Sequence, residues 1–314
     1  MKNWVFEKLV CPQCPEEKAG LQLEVQKEVA GDILDGEMIC AGCGSRYPIQ
    51  QGVAVVLPEK MRPVAFDNRG YNAPVMLSAY MWSHYCDLLK DPQATEAYKV
   101  WSSFFQKTDG DALDIGCAVG RLSFELTRTH GQVIGMDNSW AFIHKAREIL
   151  NHKRVNFEMI IEGHISKRHR CELDKDWDCS KVDFIVADAM ALPFRKNHFS
   201  TAASINVLEK VPDPLKHLKE INRVLVQKNG MFVFSDPFSW DEDFSSPELW
   251  LGGNDNKQYS PRGIDTMNRV FSGEFGVFNP PLNPVKSGNV TWKIRKTENL
   301  WEHITSQYLV GHRS

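Results

Sequence analysis

From about residue 108 onward, short apolar runs alternate with segments whose apolar residues return every three or four positions. The runs ALDIG (112–116), QVIGMD (132–137), VDFIVAD (182–188), STAASIN (200–206) and GMFVFSD (230–236) predict strands. After the second run, Ser139 is placed to cap a helix whose apolar face is Phe142, Ile143, Ala146, Ile149 and Leu150. After the fourth, Asp213 precedes Pro214 at a first helical position, and Leu215, Leu218, Ile221 and Leu225 form the buried stripe. This alternation predicts an α/β chain built on a doubly wound, Rossmann-like parallel sheet. Residues 162–181 (EGHISKRHRCELDKDWDCSK) interrupt it with five acidic and five basic residues, so a solvated excursion is expected there. Lys167, Arg168 and Arg170 within it are a candidate basic docking patch.

The first 107 residues read differently. Residues 1–60 hold two C-x-x-C pairs and end in the apolar run VAVVLP. Residues 61–105 open with a Pro-, Asp-, Asn- and Gly-containing connection and continue as the aromatic-rich segment APVMLSAYMWSHYCDLLK (73–90). Leu77, Met81, Tyr85 and Leu88 share one helical face, with Tyr80 and His84 at its edge. The expected organisation is a metal-binding segment over 1–60, a helical lid over 61–105 and the α/β domain over 106–314. His84 is expected to be a hydrogen-bonded, partly buried histidine rather than a base.

Composition narrows the function classes. Of 314 residues, 42% are hydrophobic and 25% charged, and the net charge is −3, so the chain is globular rather than disordered and is not a basic nucleic-acid binder overall. No apolar run is long enough to span a bilayer, and MKNWVFEKLVCPQC carries charges where a signal peptide needs its apolar stretch; a cytoplasmic protein is expected. Eight cysteines are too few for a disulfide scaffold. Cys11, Cys14, Cys40 and Cys43 form the two close pairs, and each C-x-x-C knuckle points two thiolates one way. A β-hairpin that joins the knuckles gives the tetrahedral sulfur set of a structural zinc site, with no open position for substrate. The alternatives are unrelated buried thiols or a redox pair. Cys171 and Cys179 are expected as free thiols.

The chemistry concentrates at LDIGCAVGR (113–121), which follows a strand and opens a helix. Gly116 and Gly120 allow a sharp turn and close approach to a ligand. Asp114 precedes the turn, where a carboxylate attracts a cationic or amine-bearing ligand and repels a pyrophosphate. Asp137 ends the second strand, placed for ribose hydroxyls, and Asp188 ends the third, placed for an adenine amino group. With Ala118, Asn138 and Ala189 these residues form the candidate cofactor set. Three carboxylates at successive strand ends suit S-adenosylmethionine, which combines a ribose, an adenine and positive charge. Asn206 at the end of the fourth strand, Asp236 at the end of the fifth beside Phe238 and Trp240, and Tyr71 in the lid connection are candidate acceptor-site or catalytic residues.

Three resemblances accompany these readings. LVCPQC with ICAGCGSRYPIQQGVAVVLP resembles the zinc ribbon of the small activator subunit of certain tRNA and protein methyltransferases. Tyr47, Pro48, Ile49, Gly52 and Val53 fit its tail, and Ala54 stands where proline is usual. The glycine loop and NVLEKVPDP (206–214) resemble class I methyltransferases, with Lys210 where histidine is common. Ala118 replaces their middle glycine, a change expected to be accommodated by a negative φ. LDIGCAVGRLSFEL, QVIGMDNSWAFI, MIIEGHISKRHR, SDPFSWDEDFSSPELWLGG and WKIRKT resemble the methyltransferases that modify the imidazole nitrogen of thiohistidine in ovothiol synthesis. That last resemblance implies a small imidazole or thiol acceptor, with Arg295 of WKIRKT holding an amino-acid carboxylate. A ribbon that guides RNA or protein to the site is the second reading, and a non-catalytic binding subunit the third. Residues 1–60 hold six Lys or Arg against nine Asp or Glu, which counts against the second.

Overall fold

A computed structural model describes all 314 residues. A short helix α1 (Asn3–Phe6) precedes the strands β1 (Leu21–Val29), β2 (Asp32–Cys40), β3 (Arg46–Gln50) and β4 (Val53–Val56). The turn of helix α2 (Arg62–Ala65), the lid helix α3 (Pro74–Tyr85) and α4 (Ala97–Ser102) follow. Then come β5 (Ala112–Ile115), α5 (Arg121–Leu126), β6 (Val133–Asp137), α6 (Trp140–His152), a hairpin β7 (Arg154–Glu162) and β8 (Ile165–Glu172), and β9 (Val182–Ala187). The chain ends with β10 (Thr201–Ile205), α7 (Pro214–Val224), β11 (Met231–Asp236), α8 (Gly263–Phe271), β12 (Asn283–Arg295) and β13 (Trp301–His312). No helix is long and apolar enough to cross a membrane.

All five predicted strands enter one eleven-stranded sheet, ordered β1-β2-β3-β4-β9-β6-β5-β10-β11-β13-β12. From β4 to β11 every neighbouring pair is parallel, and β13 then runs antiparallel to β11. Parallel strands covered on both faces are predominantly apolar, and β5, β9 and β11 are buried at every position. The predicted caps form: Ser139 Oγ accepts from the Phe142 N–H at 3.2 Å, and Asp213 Oδ1 from the Lys216 N–H at 3.0 Å.

The expected boundary near residue 60 is a change in the chain's course, with no gap in the sheet. β4 pairs with β9 through Ala54–Ile185, Val55–Val186 and Val56–Ala187, so hydrogen bonding runs from the cysteine-rich strands into the α/β sheet. Arg147 of α6 fastens the joint. Its guanidinium is buried, bonds Asp32 of β2 at 2.6 and 2.7 Å, and pairs with the fully buried Asp183 of β9. Gly52 turns between β3 and β4 at φ 80°, and a Cβ there would lie 2.7 Å from Arg147 Nη2, so the close approach excludes a side chain.

One segment agrees with the sequence-based reading and one corrects it. The solvated excursion expected over 162–181 is the outer strand of the hairpin Arg154–Glu172 and the loop after it: β8 is largely exposed, and Trp177 is the one buried residue of the stretch. Val155, Phe157 and Met159 alternate on the hairpin's inner face and are buried against the core that includes α3. The outward residues Arg154 and Arg168 pair with Glu172 and Glu158 in cis, which satisfies part of the proposed basic patch. At the carboxyl end, β12 and β13 make a long antiparallel hairpin with no counterpart among the predicted elements.

Candidate functional site

The two cysteine knuckles converge. Cys11, Cys14, Cys40 and Cys43 place their sulfurs within 4.8 Å of one another, with Cys11–Cys43 and Cys14–Cys40 separations of 3.7 Å. A tetrahedron with Zn–S bonds of about 2.3 Å has edges of about 3.8 Å, which two of the pairs match and which the rest of the set reaches with shifts of about 1 Å or less. The Tyr47 hydroxyl lies 3.1 Å from Cys11 Sγ and the Ser45 hydroxyl 3.1 Å from Cys43 Sγ, where each can donate to a thiolate. All four positions are protein ligands, and the arrangement is that of a structural zinc site.

A second site opens over the carboxyl ends of β5, β6, β9 and β10, where parallel sheets bind ligands. It is a cavity of about 1010 Å³. That is at the upper end of the ~300–1,000 Å³ usual for small-molecule sites, enough for a cofactor and a second molecule. Asp114, Gly116, Ala118, Asp137, Asn138, Asp188 and Ala189 all line it.

The backbone explains how this half is held. Gly116 and Cys117 both donate to the Met136 carbonyl at 2.8 and 2.9 Å, pinning the glycine turn to β6. Asp137 then receives the Ala118 N–H at 3.0 Å on one oxygen and the Ser139 N–H at 2.9 Å on the other. A carboxylate has about four acceptor positions, so two remain for vicinal hydroxyls. Burial raises the Asp137 pKa to about 6, with those backbone donors opposing the shift. Asp114 is raised to about 7 by burial and by Asp137, against a 2.6 Å hydrogen bond from Ser123. Asp188 receives the Met190 N–H at 2.8 Å on one oxygen.

Two expectations about this loop need correction. Ala118 has φ 45°, the left-handed region rather than the negative φ expected, because the turn between Gly116 and Gly120 must reverse within four residues. Gly120 does not line the cavity. A Cβ there would lie 2.6 Å from the Phe184 ring, so its glycine serves helix–strand packing.

The other half of the cavity is aromatic. Tyr71 meets Tyr80 edge-on at 5.9 Å, Tyr80 lies 4.9 Å from Phe142, and Tyr98, Phe244 and Trp292 complete the wall. Asn72 ties the lid connection to α6, its Oδ1 accepting from Ser139 Oγ at 2.7 Å and the Ala141 N–H at 3.2 Å. His84 is buried and bonded through Nε2 to the Tyr98 hydroxyl at 2.6 Å; burial, then the nearby Arg121, lowers its pKa and keeps the imidazole neutral. Arg121, the first residue of α5, donates to the His84 carbonyl at 2.8 Å, to Asp87 at 2.6 and 3.0 Å and to Glu125 at 2.8 Å. Lys210 sits at the wall, 3.1 Å from Glu209 and 4.7 Å above the Phe244 ring.

Of the four candidate acceptor-site residues, Tyr71 and Asn206 line the cavity, whereas Asp236 and Arg295 do not. Asp236 is fully buried behind the wall, where burial and Glu209 hold its carboxyl well above the usual range and the Phe238 N–H donates to it at 2.8 Å. Arg295 lies 3.5 Å from Asp91 and packs its guanidinium 4.5 Å from the Trp301 ring, so it braces the C-terminal hairpin against the lid. Sequence reasoning missed Tyr98 and Trp292. The signal for Trp292 was the alternation of Val290, Trp292 and Ile294.

Comparison with known proteins agrees with both sites. Residues 113–234 match the family model described as "Methyltransferase domain", and residues 5–52 match that of a "Trm112p-like protein". Demethylmenaquinone methyltransferases of Staphylococcus haemolyticus and Staphylococcus saprophyticus are 28% and 30% identical over 155 residues, 47% of this chain and 54% and 55% of theirs. The chain thus spans about half the length of the curated relatives it matches. Among solved structures, a SAM-dependent methyltransferase from Methanosarcina mazei is 16% identical, covers 68% of this chain and 96% of its own, and has a TM-score of 0.43. Phosphoethanolamine N-methyltransferase 2 of Haemonchus contortus is 18% identical over 78% of this chain and 48% of its own, with a TM-score of 0.47.

Proposed function

We propose that this chain is an S-adenosylmethionine-dependent methyltransferase acting on a small molecule. The observation that carries the reading is Asp137. Its carboxylate is locked by two backbone N–H groups at the carboxyl end of β6, with two acceptor positions free in a cavity that Asp114 and Asp188 also line. Asp114 would face the ammonium and sulfonium charge, Asp137 the ribose and Asp188 the adenine. The bound cofactor supplies a methyl group on a positively charged sulfur. The protein's part is to hold the acceptor in line with it and keep water out, for which the wall of Tyr71, Tyr80, Tyr98, Phe244 and Trp292 is suited.

A small acceptor is favoured over RNA or protein because the lid connection and α3 roof the cavity, and because the ribbon is built into the sheet as four further strands. The sequence resemblance argues for an imidazole or thiol acceptor of the thiohistidine type. The anchor for its carboxylate would then come from a cavity cation such as Lys210, because Arg295 lies outside the wall.

Titration calorimetry of S-adenosylmethionine and S-adenosylhomocysteine against zinc-loaded protein tests the cofactor. Micromolar binding that Asp137→Ala abolishes is expected, and a folded protein that binds neither ligand would sink the proposal. Methyl transfer to a panel of thiohistidine, free histidine, small thiols and a demethylated quinol then selects the acceptor. Turnover confined to RNA or protein, with strong salt dependence, would refute the small-molecule assignment.

A further inference from the structure

Asn206 closes β10 in a left-handed conformation (φ 59°), and its N–H donates to the Ser235 carbonyl at 2.6 Å. Behind it, the C-terminal hairpin inserts a line of polar groups into an apolar layer. Trp292 Nε1 lies 3.1 Å from Ser306 Oγ, and Ser306 Oγ lies 2.6 Å from Asn206 Oδ1. Ser306 is fully buried and Trp292 nearly so.

Donor chemistry and the burial of Ser306 together fix the direction of this line. An indole nitrogen can only donate, so the Ser306 oxygen accepts from Trp292. The fully buried Ser306 hydroxyl bonds only Trp292 and Asn206, so its single proton has no acceptor except Asn206, and only the oxygen of an amide accepts. The Asn206 oxygen therefore faces Ser306, and its NH₂ group is left without a protein acceptor on a residue that lines the cavity. A free asparagine can rotate half a turn and offer either its oxygen or its nitrogen; this one is held to donate.

We propose that Trp292 and Ser306 are positioning residues that fix Asn206 as a hydrogen-bond donor to the methyl acceptor. The acceptor therefore carries a hydrogen-bond-accepting atom, such as a carbonyl or carboxylate oxygen or an unprotonated ring nitrogen, on the side it turns to β10. This rests on the methyltransferase reading and deepens it by naming what the substrate must present. A donor-only group at that point would face a donor, and a buried mismatch of this kind is rejected strongly.

The test uses the full chain saturated with S-adenosylhomocysteine and follows the Asn206 side-chain NH₂ resonances, assigned with Asn206→Ala. Imidazole and acetate are titrated as acceptor-bearing probes and methylammonium as a donor-only probe. Imidazole and acetate are expected to shift the resonances and methylammonium to leave them. Ser306→Ala should weaken the imidazole response at least fivefold and move the Trp292 indole N–H signal, whereas Ser306→Thr, which keeps the hydroxyl, restores both. Equal response to methylammonium, or undiminished discrimination in Ser306→Ala, overturns the proposal. Asn206→Asp, which turns an acceptor into the cavity, should abolish the response to acetate, an acceptor-only probe, read in this variant on the Trp292 indole N–H signal, with the S-adenosylhomocysteine affinity within about twofold of wild type. A loss of tenfold or more in that affinity would assign the donor to the cofactor and overturn the proposal as well. Failure of S-adenosylhomocysteine to bind the wild type refutes the methyltransferase reading, and with it this one, and is seen before any probe is added.

Discussion

Replacing Arg121 with methionine tests how the lid is held to the cofactor loop. The substitution keeps much of the volume but removes a guanidinium that is 1% exposed and serves Asp87, Glu125 and the His84 carbonyl together. Left behind are two carboxylates whose side chains are 9% and 6% exposed. Deleting one partner of a buried ion pair typically costs about 3–5 kcal/mol, because the remaining charge has lost its counter-ion without regaining water. Glu125 keeps the Trp177 indole at 3.1 Å and Arg128 at 3.6 Å, so the lower half of that range is expected. With a urea dependence of about 3 kcal/mol per molar for a chain of this size, the unfolding midpoint should fall by roughly 1 M. The assay is urea unfolding of zinc-loaded protein, followed by tryptophan fluorescence. The triple variant Arg121→Met/Asp87→Asn/Glu125→Gln, which removes the stranded charges, should recover most of the loss. A midpoint for Arg121→Met within about 0.2 M of wild type, at unchanged slope, would refute the reasoning. So would a triple variant no more stable than the single one.

Three further outcomes are expected. Asp114 and Asp137 have pKa values raised to about 7 and 6 by burial, so their contribution to stability is present below the unfolded value near 4 and lost as pH rises through 6–7. A cationic cofactor favours their ionised forms, so S-adenosylmethionine should bind more tightly from pH 5 to pH 8 and release protons near pH 6, measured by calorimetry in buffers of different ionisation heat; uniform affinity would contradict the assignment. Ala118→Gly relieves a left-handed alanine costing about 1–2 kcal/mol, offset by about 0.4–1 kcal/mol of added unfolded-state freedom. Its thermal midpoint should therefore hold or rise slightly with cofactor affinity intact, whereas Ala118→Val should lower both. Elemental analysis is expected to give one equivalent of zinc for the wild type and none for Cys14→Ser/Cys40→Ser. Because β4 is bonded into the sheet, the thermal midpoint of the whole chain should fall, and an unmoved main transition would show that the ribbon unfolds alone.

Much of the architecture was legible because it depends on local pattern. Apolar runs that need burial on both faces marked β5, β6, β9, β10 and β11, and Ser139 and Asp213 announced their helices through side chains that satisfy free N–H groups. The four metal-site cysteines were legible because a C-x-x-C knuckle has few other uses. Most of the failures share a cause, which is that the deciding partner lies far away in sequence; the left-handed Ala118 is the local exception. Nothing near Asp236 reveals that Glu209 and the chain reversal at Phe238 enclose it, and nothing in WKIRKT indicates that Asp91 and Trp301 claim Arg295. The β12–β13 hairpin escaped because NPVKSG begins polar and exposed, and the alternation that buries Val290, Trp292 and Ile294 lasts only a few residues. Its partner residue Ser306, 100 positions from Asn206, has no local signature at all.

The pairing of β4 with β9 also bears on solubility. Without the first 57 residues, β9 would border the sheet, and its six residues VDFIVA are all buried in the intact chain. An unpaired strand with five apolar residues of six is a template for association with other chains. The cysteine-rich strands cover it and move the open border outward to β1, whose sequence LQLEVQKEV carries three charges and whose pairing with β2 slips twice near Lys27. Charge and irregular register are what discourage a border strand from recruiting another. Stripping the metal should thus do more than loosen a small appendage. It should uncover a sticky border at β9, and light scattering should rise at temperatures where the helices are still intact.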